Sequence, residues 1–264
     1  MLRLLLPSEA AVLPYLQRIG LDGPVSMDLQ GLTKLLHAQL THVPFENLDI
    51  WNSGTCPSLD VEDLYDKIVL RRRGGYCFEL NTLFRALLNS LGFDAYQVIA
   101  SLVDENGVAA PPAHNAIICL LGGEKYFLDV GFGGPVPYVP LKLNLQQQDN
   151  FRLDQKNDFY YLMHCSHGEE NFVIRFRDVE AEPVELIPLN FYISQKPDIH
   201  FRHILRVNQR KGNDVVYSLV DHEFKISDRF ESTIQRVEGT QMLQDILKTC
   251  FDIDWDTGSL NKQY

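Results

Sequence analysis

Residues 71–81 read Arg-Arg-Arg-Gly-Gly-Tyr-Cys-Phe-Glu-Leu-Asn, and this stretch decides both the fold and the chemistry that we predict for the chain. It places Cys77 after a pair of glycines and in front of a strong helical pattern. Gly92 follows that pattern, and glycine commonly ends a helix in the left-handed conformation. We therefore predict a helix that begins close to Cys77. Its apolar face recurs at intervals of three and four residues: Leu80, Leu83, Phe84, Leu87, Leu88 and Leu91.

The position of Cys77 at the start of this helix favours a nucleophile. Unpaired backbone N–H groups and the positive end of the helix dipole stabilise an anion there, and the thiolate is the reactive form of cysteine. Gly74 and Gly75 allow a tight turn and a close approach of substrate to the backbone. The alternative interpretation is a small buried cysteine that only fills space, and the turn alone leaves both open.

Composition and charge narrow the class of protein. The 264 residues can bury a large core, and 45% hydrophobic with 22% charged residues is typical of soluble globular proteins. No run approaches the ~20 apolar residues of a membrane span, and residues 1–6 meet Pro7 too soon for a signal peptide. A net charge of −11 argues against broad nucleic-acid binding, although the arginines at 71–73 leave room for a local basic groove. We expect a cytoplasmic protein without a membrane or nucleic-acid partner.

The cysteines indicate free thiols. They are an odd, scattered set without CxxC or Cys/His metal spacing: Cys56, Cys77, Cys119, Cys165 and Cys250. We predict reduced thiols and no metal site.

The first third of the chain predicts four helices with short connections, which indicates a bundle. The segments are residues 13–20, a helix around residues 29–40, residues 60–71 and the Cys77 helix. Ser26 or Asp28 is the expected cap of the second helix. Pro44 ends it, and we expect residues 45–49 to form a loop.

From residue 95 the pattern changes to strands, and it predicts a mainly antiparallel sheet or small barrel. A hairpin and a last helix follow, with Thr240 as the cap and Phe251 near the end. The predicted strands are 95–103, 116–121, 126–130, 159–164 and 172–176, and the predicted hairpin strands are 214–219 and 223–226.

A nucleophilic cysteine needs a base, and the base needs an orienting group. Gly122-Gly123 is a favoured two-residue hairpin turn. With that turn Asp129 faces Ala116, and His114 lies two residues further along on the same face, about 7–8 Å away between Cα atoms. A loop one residue longer would put the two side chains on opposite faces. The sequence therefore favours His114 as the base among the eight histidines: His37, His42, His114, His164, His167, His200, His203 and His222.

Three glycines follow Asp129 within five residues: Gly131, Gly133 and Gly134. They allow the backbone to approach a ligand closely, and backbone N–H groups in such a turn can receive a phosphate or an oxyanion. We predict that they bind cofactor, although the turn lacks the Lys-Ser/Thr of a P-loop.

Four segments in this order resemble the arylamine N-acetyltransferases, above all the bacterial members: residues 43–48 (Val-Pro-Phe-Glu-Asn-Leu), 73–81, 114–115 (His-Asn) and 128–133 (Leu-Asp-Val-Gly-Phe-Gly). Residues 190–194 are similar more weakly. The resemblance implies an α+β, papain-like cysteine-enzyme fold with a helical bundle, an antiparallel β-barrel and an α/β lid. The implied domains are residues 1–93 with the nucleophile, 94–190 with His and Asp, and 191–264.

The resemblance also implies the reaction. Cys77 would take the acetyl group from the cosubstrate acetyl-CoA as a thioester, and an arylamine, arylhydrazine or arylhydroxylamine would then accept it in a ping-pong mechanism. His114 would be the general base and Asp129 would orient it. The expected setting is xenobiotic metabolism.

Further positions carry over from the resemblance. Phe45, Phe132 and Phe201 match aromatic residues that line the acceptor pocket, and Glu46 and Arg73 match an ion pair beside the nucleophile. Three alternatives stay open: a papain- or transglutaminase-like amide hydrolase, a macrolactam-forming amide synthase of the same fold, and a binding protein without activity. The sequence makes no prediction of oligomeric state.

Overall fold

The helices of the first third follow the apolar periodicity. The computed structural model describes residues 3–143, 147–148, 150–166, 168–212 and 215–255. A short 3-10 turn, Glu9–Ala11, precedes the helices, which are α1 (Val12–Arg18), α2 (Leu29–His42), α3 (Leu48–Ser53), α4 (Val61–Tyr65) and α5 (Cys77–Ser90). A π-helical turn, Asp66–Leu70, continues α4. Asp28 caps α2 by accepting a hydrogen bond from Gly31 N.

Helix α5 lies at the centre of this part of the molecule. All its residues from Cys77 to Asn89 are buried, whereas the apolar pattern predicts one buried face. The polar side chains on the other faces tolerate burial because they are hydrogen-bonded. Gln97 Nε2 donates to Thr82 Oγ1 at 3.0 Å, and Arg85 Nε donates to Ala95 O at 3.2 Å. The helix ends as predicted, with Gly92 at φ +99°.

The predicted loop over residues 45–49 is wrong. Phe45–Glu46 form a short strand, β1, and Leu48 begins α3. β1 pairs with β10 (Arg206–Lys211), so that Phe45 faces Asn208. Two residues are too few to show a period, and their partner strand is distant in sequence. The six residues of α3 are also too few for a clear helical pattern.

The middle of the chain forms a nearly closed antiparallel barrel, in the strand order β5-β4-β3-β2-β9-β8-β7-β6. The core inside it contains Val98, Ile118, Phe127 and Ile174. Its strands are β2 (Asp94–Leu102), β3 (His114–Leu121), β4 (Glu124–Leu128), β5 (Leu141–Lys142), β6 (Gln147–Gln148), β7 (Phe151–Lys156), β8 (Phe159–Ser166) and β9 (Glu169–Phe176).

The rest of the chain combines helices with a second sheet, in the order β1-β10-β11-β12-β13. It contains α6 (Pro183–Gln195), α7 (His200–His203), β11 (Val215–Val220), β12 (Glu223–Ser227), β13 (Ser232–Arg236) and α8 (Gly239–Phe251). The hairpin of β11 and β12 is confirmed. Asp214, the first residue of its predicted strand, lies outside the described residues, as does His167. Thr240 is not the cap of α8, because the helix begins at Gly239 and Glu238 takes that position.

The architecture confirms the predicted α+β fold class, with helices first, an antiparallel barrel next and an α/β segment last. The domain boundaries at residues 93 and 190 stay a prediction. In the part of the chain that the structure describes, we find no helix that combines the length and the apolar character needed to cross a membrane. The five cysteines are free.

Candidate active site

The β3–β4 hairpin brings His114 and Asp129 together. Gly122 and Gly123 both have positive φ, at 60° and 82°, as the predicted two-residue turn requires. The strands pair in the predicted register, so His114 begins β3 and Asp129 follows β4 directly. His114 Nε2 lies 2.6 Å from Asp129 Oδ2. Both side chains are buried, and the predicted contact between them is present.

Asp129 is held by donors on its second oxygen. Its Oδ1 accepts hydrogen bonds from Gly131 N at 2.8 Å and from Asn81 Nδ2 at 3.1 Å. Asn81 Oδ1 in turn accepts from Val130 N at 3.0 Å. These bonds fix the carboxylate so that Oδ2 is directed at His114.

Asn81 is the residue of this site that the sequence reasoning missed. It lies one helical turn after Cys77 on α5, and residues four apart share a face of a helix. This four-residue spacing is the feature of the sequence that points to Asn81, because it places the amide on the same face of the helix as the Cys77 thiol. Asn81 therefore couples the helix that carries Cys77 to the hairpin that carries Asp129.

Cys77 is the first residue of α5 and is 4% exposed. Its side chain is close enough to the His114 ring to act on the pKa of that imidazole. Because Asp129 occupies Nε2, the nitrogen left for Cys77 is Nδ1. Burial opposes a charge on His114, but the Asp129 carboxylate, its hydrogen bond and the Cys77 side chain outweigh burial and raise the pKa of His114 to about 10. The arrangement stabilises an imidazolium beside a sulfur.

The raised pKa of His114 predicts a pH-dependent stability. Its ordinary value is 6.5, so the His114–Asp129 pair stabilises the fold fully below pH 6.5 and loses this contribution as the pH rises through about 10. We expect the difference in free energy of unfolding between the wild type and His114→Gln to shrink across that window, as measured by urea denaturation. A difference that stays constant or grows with pH would contradict the assignment.

A glycine is required at position 131 because the backbone there lies close to Cys77. A Cβ atom at this position would lie 2.7 Å from Cys77 Cα, which no side chain tolerates. Gly133, at φ +70°, and Gly134 line the neighbouring cavity instead. A role for the three glycines in binding cofactor stays a prediction, and Gly131 has a packing role in addition.

A cavity of about 820 Å³ lies next to these residues, within the usual size range of ligand sites. Phe45 and Phe132 line it, but Phe201 does not. The Phe132 ring stands edge-on to the His114 ring, with centroids 5.5 Å apart. Phe201 packs behind Phe45, at 6.0 Å between ring centroids. Two of the three predicted pocket phenylalanines therefore border the cavity, and the third supports one of them.

A larger cavity, about 1240 Å³, lies along α2 and is lined by residues such as Leu29, His37 and Tyr138. Neither cavity is lined by Cys77, His114 or Asp129 themselves. The smaller cavity is the one that Phe132 connects to the His114 ring.

A buried charge network, formed by Glu46, Asp49, Lys67, Arg73 and Glu79, lies beneath the Cys77 turn. The predicted ion pair of Glu46 and Arg73 is confirmed, with Arg73 Nη2 at 2.8 Å from Glu46 Oε1. The Asp49 carboxylate pairs with both cations of the network: it lies 3.0 Å from Arg73 Nη2 and 2.7 Å from Lys67 Nζ. Lys67 Nζ also lies 2.7 Å from Glu79 Oε1. Desolvated charges of this kind are tolerated because each has a partner.

Glu79 links the buried charge network to the turn that precedes Cys77. Its Oε2 accepts a hydrogen bond, at 3.1 Å, from the backbone N–H of Tyr76, the residue that precedes Cys77. Burial raises the pKa of Glu79, and the charge of Lys67 opposes that shift. The network therefore holds the start of α5 in place.

We expect Lys67→Met to destabilise the protein by about 3–5 kcal/mol, because it leaves the buried Glu79 carboxylate without its counter-charge. The double variant Lys67→Met/Glu79→Gln removes that carboxylate and should recover part of the loss. Urea denaturation of the wild type, both single variants and the double variant measures the coupling. Additive losses would show that Lys67 and Glu79 do not depend on each other.

Comparisons with known proteins agree with this geometry. A family model described as N-acetyltransferase matches residues 28–260. The chain is 34% identical over 197 residues to the arylamine N-acetyltransferase of Escherichia coli (strain K12), which covers 72% of this chain and 70% of that protein. It is 35% identical over 197 residues to the enzyme of Mycolicibacterium smegmatis, with 71% and 72% covered.

The chain belongs to the arylamine N-acetyltransferase family. The predicted family and the predicted enzyme class, an acyltransferase, are thereby confirmed.

Solved arylamine N-acetyltransferases share the fold. The structure from Salmonella typhimurium superposes with a TM-score of 0.86 at 25% identity, covering 93% of this chain and 92% of that one. The Mycobacterium marinum arylamine N-acetyltransferase in complex with CoA gives a TM-score of 0.82 at 28% identity, covering 91% and 92%. The superposition covers all three parts of the chain and supports the α+β assignment.

Proposed function

We propose that this acetyltransferase carries acetyl groups from acetyl-CoA to aromatic amines, hydrazines or hydroxylamines in two half-reactions, through a thioester on Cys77. The observation that carries the proposal is the buried His114–Asp129 pair, whose imidazole is influenced by Cys77 at the start of α5. A sulfur at a helix start, paired with an imidazole that is itself fixed by a carboxylate, is the arrangement of an activated nucleophile.

In the first half-reaction the Cys77 thiolate attacks the carbonyl carbon of the acetyl thioester. A new C–S bond forms, the bond to the CoA sulfur breaks, and the departing sulfur takes the proton of the His114 imidazolium. One thioester replaces another, so the acetyl group keeps its reactivity. His114 is left neutral, with Nδ1 directed at the acetylated sulfur.

In the second half-reaction the amine nitrogen attacks the carbonyl carbon of the Cys77 thioester. His114 Nδ1 takes the amine proton as general base, the C–S bond breaks, and the thiolate returns to its partner imidazolium. Asp129 keeps Nε2 protonated throughout, which leaves Nδ1 free to accept a proton. Asp129 therefore acts by orienting His114.

Each half-reaction passes through an oxyanion, and the backbone N–H of Cys77 is our candidate donor for it. The first N–H groups of a helix have no partner within the helix, and such groups are suited to stabilise developing negative charge.

The acceptor ring would lie between Phe45 and Phe132. Flat aromatic amines fit between aromatic side chains, and ring contacts add roughly 0.5–1.5 kcal/mol beyond the area that they bury. Phe201 would support this wall from behind. The position of Phe132 next to the His114 ring favours an acceptor whose nitrogen points at Nδ1.

Acetyl-CoA as cosubstrate is supported by the similarity to the M. marinum enzyme, which was solved in complex with CoA. Gly133 and Gly134 line the cavity beside Asn208 and contribute to its shape, so they remain candidates for contact with the donor. A cytoplasmic location and a part in xenobiotic metabolism stay predictions.

Intact-protein mass spectrometry tests the proposed function. Mixing the protein with acetyl-CoA should add one acetyl group, which peptide mapping should locate on Cys77. Adding an aromatic amine should then remove the group and yield the acetylated amine. Protein that gains no acetyl group, or that loses it to water as fast without the amine as with it, would refute the proposal.

A further inference from the structure

Strand β10 presents two arginines and an asparagine to the cavity. Arg206, Asn208 and Arg210 alternate along the strand, so they share one of its faces, and all three line the 820 Å³ space. Ser218, which faces Asn208 on β11, lines it as well. One wall of the cavity is therefore polar and cationic, in a chain whose net charge is −11.

The Arg206 side chain has an unused hydrogen-bond donor. Its Nε is buried and has no hydrogen-bond partner. Within the ranges that the structure describes, no ion pair or side-chain hydrogen bond engages the Arg206 guanidinium. Its backbone is fixed, because Arg206 N donates to Asn47 Oδ1 at 2.7 Å. A buried donor without an acceptor costs free energy, and an anionic ligand in the cavity would remove that cost.

Arg210 is held in position by neutral groups. Its Nη2 donates to Val136 O at 3.0 Å, and its guanidinium carbon lies 3.8 Å from the centroid of the Tyr138 ring. Burial and the charge of Arg210 lower the pKa of His164, another residue that lines the cavity. Among the residues that the structure describes, Arg210 therefore adds a positive charge without a carboxylate partner.

The acidic residue among those that line the cavity, Asp228, is hydrogen-bonded within its own loop. Its Oδ1 accepts hydrogen bonds from Phe230 N at 2.7 Å and from Glu231 N at 2.8 Å. This carboxylate is therefore used in a turn at the rim of the cavity.

We propose that Arg206 and Arg210 form an anion subsite that binds a phosphate or carboxylate group of a substrate. The inference rests on the proposed function and adds a chemical class to it. Asn208, between the two arginines, faces Phe45 across the β1–β10 pair, so the subsite borders the wall of the acceptor pocket. Guanidinium groups suit this role because they bind oxyanions with two parallel hydrogen bonds.

Two sources can supply the anion: the phosphates of acetyl-CoA and a carboxylate on the acceptor. Steady-state kinetics of Arg206→Gln and Arg210→Gln separate them. The donors to compare are acetyl-CoA and acetyl-pantetheine, which lacks phosphate. The acceptors to compare are 4-aminobenzoate and its neutral ethyl ester. Arg152→Gln, in a partly exposed arginine that pairs with Asp154 and Glu170 on the barrel, is the matched control.

We expect KM to rise about tenfold for the anionic member of one pair, the scale of one lost hydrogen bond to a charged group, with little change for its neutral counterpart. A rise confined to acetyl-CoA identifies a phosphate, and a rise confined to 4-aminobenzoate identifies a carboxylate. The control variant should behave as the wild type does. Thermal midpoints of the variants show whether the fold is intact.

KM values within about twofold of the control for every substrate, or equal rises for charged and neutral members, would overturn the subsite. Failure of the proposed function looks different, because the wild type itself would then transfer no acetyl group. In that case calorimetric titration of the wild type and Arg206→Gln with CoA and with 4-aminobenzoate tests the subsite alone. Equal affinities in both proteins would refute it.

Discussion

Cys77→Ser should lower acetyl transfer by about 10³-fold or more, the scale seen when a member of a nucleophilic triad is removed. Serine keeps the size of the side chain and its place at the start of α5. A hydroxyl, however, is far harder to deprotonate than a thiol, and the imidazole of His114 would have to act as a strong base. The sulfur anion that attacks the donor is therefore lost although the fold is kept.

Two measurements check this result. The rate of CoA release with an aromatic amine gives the activity, and intact mass after mixing with acetyl-CoA shows whether an acetyl-enzyme forms. Cys250→Ser, in a partly exposed cysteine of α8, makes the same chemical change away from the site and should retain full activity. Turnover by Cys77→Ser close to that of the control would exclude Cys77 as the nucleophile.

Asp129→Asn should lower kcat by about 10²–10⁴-fold, because it changes which ring nitrogen of His114 carries the proton. Gly131 N and Asn81 Nδ2 both donate to Oδ1 of Asp129, so the amide oxygen of asparagine would take that place. Its NH₂ group would then face His114 Nε2, which has to become an acceptor. The proton would move to Nδ1, where the base must be free, and the charge that raises the pKa of His114 would be lost.

The readout for Asp129→Asn is the pH profile of acetylation together with the loss of rate. In an NMR titration of the His114 ring, the pKa should fall from about 10 toward its ordinary value of 6.5. Asp178→Asn is the matched control, since Asp178 is a partly buried carboxylate on the barrel that binds Lys125 and Tyr96. An unchanged titration of His114 in Asp129→Asn would show that the carboxylate does not govern the base.

Local signals predicted the geometry at the centre of the site, whereas the catalytic roles of its residues stay a prediction. The apolar spacing after Cys77 predicted helix α5, and Gly92 predicted where that helix ends. The Gly122-Gly123 turn gave the register of the hairpin, and the register brought His114 to Asp129. These features depend on neighbours within one helix or one hairpin, so their geometry follows from short-range rules.

Features that depend on distant partners could not be predicted from the residues alone. The two residues of β1 become a strand only because β10 lies beside them. Lys67 looks like a solvent-facing residue of a helix until Asp49 and Glu79 are placed against it. Asn81 shares a face with Cys77, but its function requires the Asp129 carboxylate, which another part of the chain supplies.

The pairing of Phe45 and Glu46 with β10 has a consequence for how ligands enter and leave. A strand of the helical part is built into the edge of the C-terminal sheet, and Asn208 also donates to Gly133 O from that sheet. A hinged swing of the C-terminal sheet would break this seam and displace Phe45 from its place at the cavity. We therefore expect ligands to reach Cys77 through rotation of side chains such as Phe132, while the backbone around them remains joined.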